Sequence, residues 1–402
     1  MLDAYIYDGL RSPIGRHAGK LAGVRPDDLA AEVIAEVVKR NQVDPAEISD
    51  VVLGCVTQSG EDCRNVARFA ALLAGLPPST PAVTVNRLCA SGLQAVTDAA
   101  RAISAGEGEL YIAGGVESMS RAPYVIAKAE SPYARDVRMY DSTIGSRFTN
   151  PRFRKQYGDH QMPETGDNVA KDFAITREQA DEFALASQKK YARAEAEGFY
   201  TGEILPVTLP AKKKDAPPAV VSADEHPRRD ATMEALARLK PLYEGGVVTA
   251  GNASGVNDGA AALVVASRKW GEKNGRKPIA KVLSAASAAV EPRIMGVGPA
   301  YAIPRALERA NLSLKDMDII EINEAFASQV LGCLKLMNVD FKDPRVNPNG
   351  GAIAIGHPLG CSGARLALTV ARELGQRGGR YAAVSLCIGV GQGLAVILER
   401  VH

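Results

Sequence analysis

Three short segments hold the side chains of this chain best suited to covalent chemistry. Cys89 sits in Asn86-Arg87-Leu88-Cys89-Ala90-Ser91-Gly92, His357 in Gly356-His357-Pro358-Leu359-Gly360-Cys361-Ser362-Gly363, and Cys387 in Cys387-Ile388-Gly389-Val390-Gly391-Gln392-Gly393. A thiol attacks well only after a base takes its proton, and bond-making at a carbon acid needs a second proton carrier. Two cysteines and one histidine in Gly-lined turns therefore point to carbon–carbon chemistry on a thioester. The Gly389-x-Gly391-x-Gly393 run also invites a dinucleotide-loop reading. Only nine residues follow Gly393 in a chain ending at His402, which leaves no room for the helix, strand and acidic residue such a loop requires.

Each reactive residue needs an element to aim it. The apolar run Ala82-Val83-Thr84-Val85 reads as a strand turning into a helix that begins near Ser91. A thiol at that helix start faces unpaired N–H groups and the positive dipole end, so the expected Cys89 pKa falls from about 8.5 toward neutrality. His357, between a glycine and a proline, belongs to a loop. Cys387 ends a strand, and its glycines let backbone approach a ligand closely.

The surroundings of Cys89 and Cys361 repeat each other. Leu93, Val96, Ala100 and Ile103 follow helical spacing before the strand Leu110-Tyr111-Ile112-Ala113; Leu366, Val370 and Leu374 do the same before Tyr381-Ala382-Ala383-Val384. The separations nearly coincide: 361 less 89 is 272, and 381 less 111 is 270. Two copies of one α/β unit are expected, residues 1–119 with 247–272 forming one half and 278–402 the other. Between them, residues 120–246 differ in composition, with the charge clusters Arg152 to Lys155 and Lys212-Lys213-Lys214 and the breaker pair Pro217-Pro218, and read as an inserted loop domain. One helix is legible there: Thr176 and Gln179 match a capping box, Phe183 and Tyr191 mark an apolar side, and Gly198 ends it.

Composition narrows the classes. Lys and Arg total 48 against 46 Asp and Glu, so no global field favours nucleic acid or a membrane surface. Six cysteines occur without a Cys-x-x-Cys pair, the first residues form no basic-apolar leader, and no apolar run approaches the roughly 20 residues that span a bilayer. A metal site is not expected, and a reducing cytoplasm is the expected compartment.

With Asn323-Glu324-Ala325-Phe326 added, the set resembles the thiolase family, from Arg11-Ser12-Pro13-Ile14-Gly15 to Gly393. The resemblance implies a five-layer αβαβα thiolase fold of duplicated halves. It also implies a homotetramer, and acyl-CoA and coenzyme A as partners with no permanently bound cofactor. It makes Cys89 the nucleophile, His357 its base and part of an oxyanion hole with Asn323, and Cys387 the acid/base toward the acetyl carbon. The N–H groups of Cys89 and Gly389 would form a second oxyanion hole. Ser254, in Thr249-Ala250-Gly251-Asn252-Ala253-Ser254-Gly255, matches the pantetheine contact. Arg228, in His226-Pro227-Arg228, matches an arginine near the adenine nucleotide; an exposed loop charge is its other reading. Met162 and Phe326 complete the coenzyme A set, Phe326 serving equally as core packing. Cys361 reads as structural, and Cys55, Cys63 and Cys333 as packing.

Within the family, Gln58-Ser59-Gly60-Glu61-Asp62, Asn65-Val66-Ala67-Arg68 and Met139-Tyr140-Asp141-Ser142-Thr143-Ile144-Gly145 are similar to a branch that cleaves 3-oxoadipyl-CoA in aromatic-compound catabolism, the beta-ketoadipate pathway. Ala90-Ser91-Gly92-Leu93-Gln94 departs from that branch's Gly-Ser-Gly-Met-Asp, so a general 3-ketoacyl-CoA thiolase stays open. Gln161 stands where short-chain biosynthetic members often carry His, which argues against a simple acetoacetyl-CoA synthase. A non-catalytic acyl-CoA-binding protein on the same scaffold would have lost a reactive residue; none is lost. Arg147, in Gly145-Ser146-Arg147-Phe148, reads first as a solvated loop or subunit-contact arginine, and is the candidate partner for a substrate carboxylate.

Overall fold

A computed structural model describes residues 1–209 and 217–401; the Lys212, Lys213, Lys214 run and His402 lie outside the described residues. The strands are β1 (Ala4–Arg11), β2 (Asp50–Gly54), β3 (Ala82–Val85), β4 (Leu110–Ser118), β5 (Asn257–Ala266), β6 (Ala280–Ala289), β7 (Ile319–Ile322), β8 (Tyr381–Ile388) and β9 (Gln392–Arg400). They lie in the order β7-β8-β9-β6-β1-β5-β4-β2-β3, with the short strand Gly15–Arg16 added beside β5. Strands β2, β4, β5 and β1 repeat as β7, β8, β9 and β6 in the same order, each half starting with a parallel pair and continuing antiparallel. Val51 pairs with Ile112 in one half and Ile319 with Ala382 in the other, so both halves contain the same parallel pairing. The two half-sheets meet edge to edge where Ala4, Tyr5 and Ile6 face Val282, Lys281 and Ala280.

The main helices are α1 (Pro26–Arg40), α2 (Val66–Leu73), α3 (Ser91–Ala105), α4 (Met162–Asp172), α5 (Arg177–Ala196), α6 (Gly298–Ala310), α7 (Ala327–Leu336) and α8 (Leu359–Arg377). Burial of their apolar faces gives three cores. One joins α1 and α2 to the first half-sheet, through Leu29, Val33, Ile34, Ala67 and Ala70. A second joins α6 and α7 to the other half-sheet, through Ile303, Leu307 and Val330. Between the half-sheets, α3 and α8 share the third, with Leu93, Val96, Leu366 and Val370 buried. These layers are helix, sheet, helix pair, sheet and helix, the expected αβαβα order.

The central pair is held backbone to backbone. A Cβ on Gly92 would stand 2.5 Å from the Gly360 carbonyl oxygen, and one on Gly363 would stand 2.2 Å from the Leu93 nitrogen. No side chain fits at either position, so α3 and α8 cross with their N-terminal turns adjacent.

Between Ser120 and Gly246, α5 starts as the sequence predicts. Thr176 Oγ1 accepts from the Gln179 N–H at 3.2 Å, Gln179 Oε1 accepts from the Thr176 N–H at 2.9 Å, and Gly198 follows the helix at φ 75°. Phe183 and Ala184 of α5 and Val169 of α4 bury into the core of the second half. Buried charge also ties this stretch to β1. The guanidinium of Arg11 donates to Glu203 at 2.7 Å and to Asp224 at 2.7 and 2.9 Å, while Tyr191 donates to the same Asp224 at 3.1 Å.

Candidate active site

The turn bearing Cys89 is built by its neighbours' side chains. Asn86 Oδ1 accepts from the Leu88 N–H at 2.9 Å, Ser91 Oγ accepts from the Arg87 N–H at 2.9 Å, and the Ser91 hydroxyl donates to the Leu88 carbonyl at 2.6 Å. These bonds hold Leu88 in the left-handed region at φ 45°, a conformation costing a non-glycine residue roughly 1–3 kcal/mol. Cys89 is thereby delivered two residues ahead of α3, partly exposed.

The helix start does not make Cys89 acidic. Burial of its sulfur pushes the thiol up to about 11, against the N–H groups of Gly389 and of Cys89 itself, which point at the sulfur and pull it down. The expectation of a near-neutral pKa is thus overturned: these two N–H groups lower it, but burial of the thiolate outweighs them. At rest Cys89 is a thiol, and its proton must leave during the reaction.

His357 is placed to take a proton. It lies two residues ahead of α8 and is buried. Nδ1 lies 2.6 Å from Ser362 Oγ, and the Ser362 hydroxyl donates to the Pro358 carbonyl at 2.8 Å. Ser362 therefore accepts from Nδ1–H, and this network assigns the bare nitrogen to Nε2. Nε2 lies 3.3 Å from Asn323 Nδ2, a donor. Burial, followed by the positive Arg365, lowers the imidazole pKa to about 3, so His357 is neutral at physiological pH. Arg365 is itself buried, and both its terminal nitrogens lack a hydrogen-bond partner among the described residues.

Cys387 lies deeper than Cys89. Burial, then the nearby Cys89 and Cys333 thiols, drives its pKa well upward. It packs in one cluster with Val248, Ala253, Met295, Ala325 and Phe326, with Met162 against the rim. The β8–β9 hairpin pairs Ile388 with Gln392, and the Gly389 of its turn presents its N–H to Cys89. The structure thus brings together Cys89, Cys387, Gly389, Met162 and Phe326, and joins His357 to Asn323. Phe326 also forms a β-bridge to Ala253, and the Ser254 N–H donates to the Ala325 carbonyl at 2.9 Å, which stitches the Ser254 loop to the Asn323 turn. Arg228 stands apart and exposed, its backbone N–H on Gln188 Oε1 at 2.9 Å.

Cys361, Cys55 and Cys333 are buried, but Cys63 is exposed in a left-handed turn, so packing does not account for it. Among the described residues, Cys55, Asp62 and Glu117 form one compact group of metal-ligand type. Glu117 already accepts from the N–H groups of Val56, Thr57 and Gly360 and from the Thr57 hydroxyl, so it serves as a loop anchor. Ser362 was not singled out from sequence although its segment was; its signal is a hydroxyl one helical turn beyond a loop histidine. Met295 and Val248 carry no local signal.

A thiol, a neutral imidazole, a second thiol and converging N–H donors are what acyl transfer coupled to carbon–carbon chemistry requires. The thiolase N-terminal domain model matches residues 4–269, and the thiolase C-terminal domain model matches residues 276–400. The chain belongs to the thiolase family. This thiolase is 56% identical over 403 residues to the beta-ketoadipyl-CoA thiolase of Escherichia coli, covering 100% of both chains. The acetyl-CoA acetyltransferase of Bacillus anthracis superposes with a TM-score of 0.92 at 40% identity, covering 100% of this chain and 99% of the other. Human mitochondrial 3-ketoacyl-CoA thiolase in complex with CoA superposes at 0.91 and 37% identity, covering 100% and 98%. As a thiolase it is an acyltransferase, with coenzyme A as its co-substrate.

Proposed function

We propose that this thiolase cleaves 3-oxoadipyl-CoA with coenzyme A to succinyl-CoA and acetyl-CoA. The chemistry rests on one observation: the Cys89 and Cys387 thiols adjoin each other, with the Gly389 N–H at Cys89. His357 Nε2 takes the Cys89 proton as sulfur attacks the 3-keto carbon. The C2–C3 bond breaks, and the departing acetyl-CoA enolate takes its proton from Cys387. A succinyl group remains on Cys89. The proton held by His357 passes to the Cys387 thiolate; the thiol of a second coenzyme A then attacks the thioester as His357 takes its proton and hands it to the leaving Cys89. Donors at Cys89 and Gly389, and at His357 with Asn323, stabilise the oxyanions.

Full-length similarity to the Escherichia coli enzyme supports the substrate. The apolar wall of Val248, Met295 and Phe326 favours a second reading, a general 3-ketoacyl-CoA or acetoacetyl-CoA thiolase. Initial rates with coenzyme A across 3-oxoadipyl-, acetoacetyl- and longer 3-oxoacyl-CoA decide between them. A preference for an uncharged substrate overturns the first.

Ser254, Met162 and Phe326 hold the pantetheine end of coenzyme A and Arg228 the nucleotide end, with no permanent cofactor. Residues 120–246 act as a loop domain over the site, flanked by halves 1–119 with 247–272 and 278–402. The enzyme is cytoplasmic and a homotetramer, a dimer of dimers. Support for assembly comes from exposed Phe69, Leu72, Leu73 and Val83 along the edge at β3, and from the hairpin Tyr124–Ile126/Met139–Asp141, where Tyr124, Ile126 and Met139 face out. Light scattering behind gel filtration tests it.

A further inference from the structure

Asn257 opens β5, outside every segment to which the chemistry points, and is fully buried. Its Oδ1 accepts from the His357 backbone N–H at 2.9 Å, and its Nδ2 donates to the Gly15 carbonyl at 2.9 Å. Gly356 precedes His357 at φ 109°, and a Cβ there would stand 2.6 Å from Asn257 Cγ. On the other side, a Cβ on Gly255 would stand 2.9 Å from Asn257 Oδ1. The carboxamide therefore fills a slot between the histidine loop, the Ser254 loop and the turn after β1. Both of its polar ends are used, and both neighbouring glycines leave it room.

We infer that Asn257 is the positioning residue for His357, fixing the backbone from which the base projects and joining it to the loop that carries Ser254. This rests on His357 as the base but not on the choice of acyl chain. The Ser362 bond sets the ring's tautomer; the Asn257 bond sets where the ring starts. A base displaced by a fraction of an ångström from its proton loses much of its effect, while a coenzyme A contact three residues upstream of Asn257 need not change. A purely structural asparagine would give the opposite pattern, lost stability with unchanged turnover per folded molecule.

The test uses acetoacetyl-CoA cleavage and Cys89 alkylation by iodoacetamide, neither of which depends on 3-oxoadipyl specificity. Asn257→Leu, of similar size but with no acceptor or donor, should lower kcat by about tenfold or more while KM for coenzyme A stays within about threefold. Asn257→Asp keeps the acceptor and should recover part of kcat, with the acid limb of its pH profile moved upward by the new carboxylate beside His357. Cys89 alkylation at pH 7 should slow in the Leu variant and recover partly in the Asp variant. Gly356→Ala presses a methyl onto Asn257 and should reproduce the kcat loss if Asn257→Leu does not fold. The inference is overturned if a folded Leu or Ala variant keeps kcat within twofold of the parent, or if its loss lies in KM alone. Failure to turn over 3-oxoadipyl-CoA, with acetoacetyl-CoA cleavage intact, bears only on the substrate.

Discussion

The two halves of the molecule place different chemistry at the same address. Cys89 lies two residues ahead of α3, and His357 lies two residues ahead of α8, the equivalent helix of the second copy. One copy leaves its reactive group partly open to solvent, and the other buries its group against Ser362 and Asn323. The strands differ likewise. Cys387 on β8 corresponds within a residue to Glu117 on β4, since 387 less 117 is 270. Glu117 ties down loops, including the Gly360 N–H at the start of α8, whereas Cys387 faces Cys89. In the proposed mechanism, one scaffold used twice serves as a nucleophile platform on one side and a proton-handling platform on the other.

If that division is right, removing the nucleophile is most severe. Cys89→Ala should cut turnover by about 10⁴-fold or more and abolish acyl labelling of its peptide in a quenched incubation with acyl-CoA. A label remaining on Cys361 or Cys387 would reassign the platforms. Cys387→Ala should lower cleavage by roughly a hundredfold or more yet spare acyl exchange between Cys89 and coenzyme A. Equal loss of both activities in a folded variant breaks the separation. Ser362→Ala frees the imidazole tautomer and should cost roughly tenfold in kcat, measured beside an unchanged thermal midpoint.

Arg147 sharpens the comparison on the substrate side. It is half-buried, with Nη1 3.4 Å from the Ser142 carbonyl, in the loop whose Gly145 leaves room for Gln161 next to Met162. Arg147→Ala should reduce kcat/KM for 3-oxoadipyl-CoA about tenfold, roughly 1.4 kcal/mol, and spare 3-oxohexanoyl-CoA. Parallel steady-state assays check it, and equal losses remove Arg147 as the selector.

The smallest effect is on stability. Burial lowers His226 to about 4 and His357 to about 3, below the ordinary 6.5. Between those values and 6.5 the unfolded chain binds more protons, so stability is fully present above pH 6.5 and is lost as pH falls toward 4. His226→Gln should flatten that dependence in thermal melts taken from pH 7 to 4.5. A slope identical to the parent's would show that His226 contributes nothing to it.

Much of this was legible because the signals are local. The strand Ile319–Ile322 and the capped helix after Thr176 depend on nearest neighbours and period and stand as read; the repeat was legible too, but Cys361 lies inside α8, and His357 holds the place that Cys89 has before α3. The Cys89 pKa is not legible, because the helix start can be read from sequence and the burial that raises the thiol cannot. Ser362 and Asn257 were passed over for the same reason. Asn257 precedes His357 by a hundred residues, and only the crossing of β5 beneath the histidine loop makes its carboxamide matter. Arg365 reads as an ordinary helical arginine until its burial is known.

The buried Arg11 bears on how the protein comes apart. Its charge is shared by Glu203 and Asp224, both from the stretch between Ser120 and Gly246, with Thr369 of α8 donating to Glu203 at 3.2 Å. Peeling that stretch away would take both carboxylates from Arg11 and leave its cation unpaired in the body, at a cost of several kcal/mol. That stretch therefore does not melt ahead of the body: calorimetry should register one cooperative transition, and proteolysis under native conditions should not release it as a first fragment.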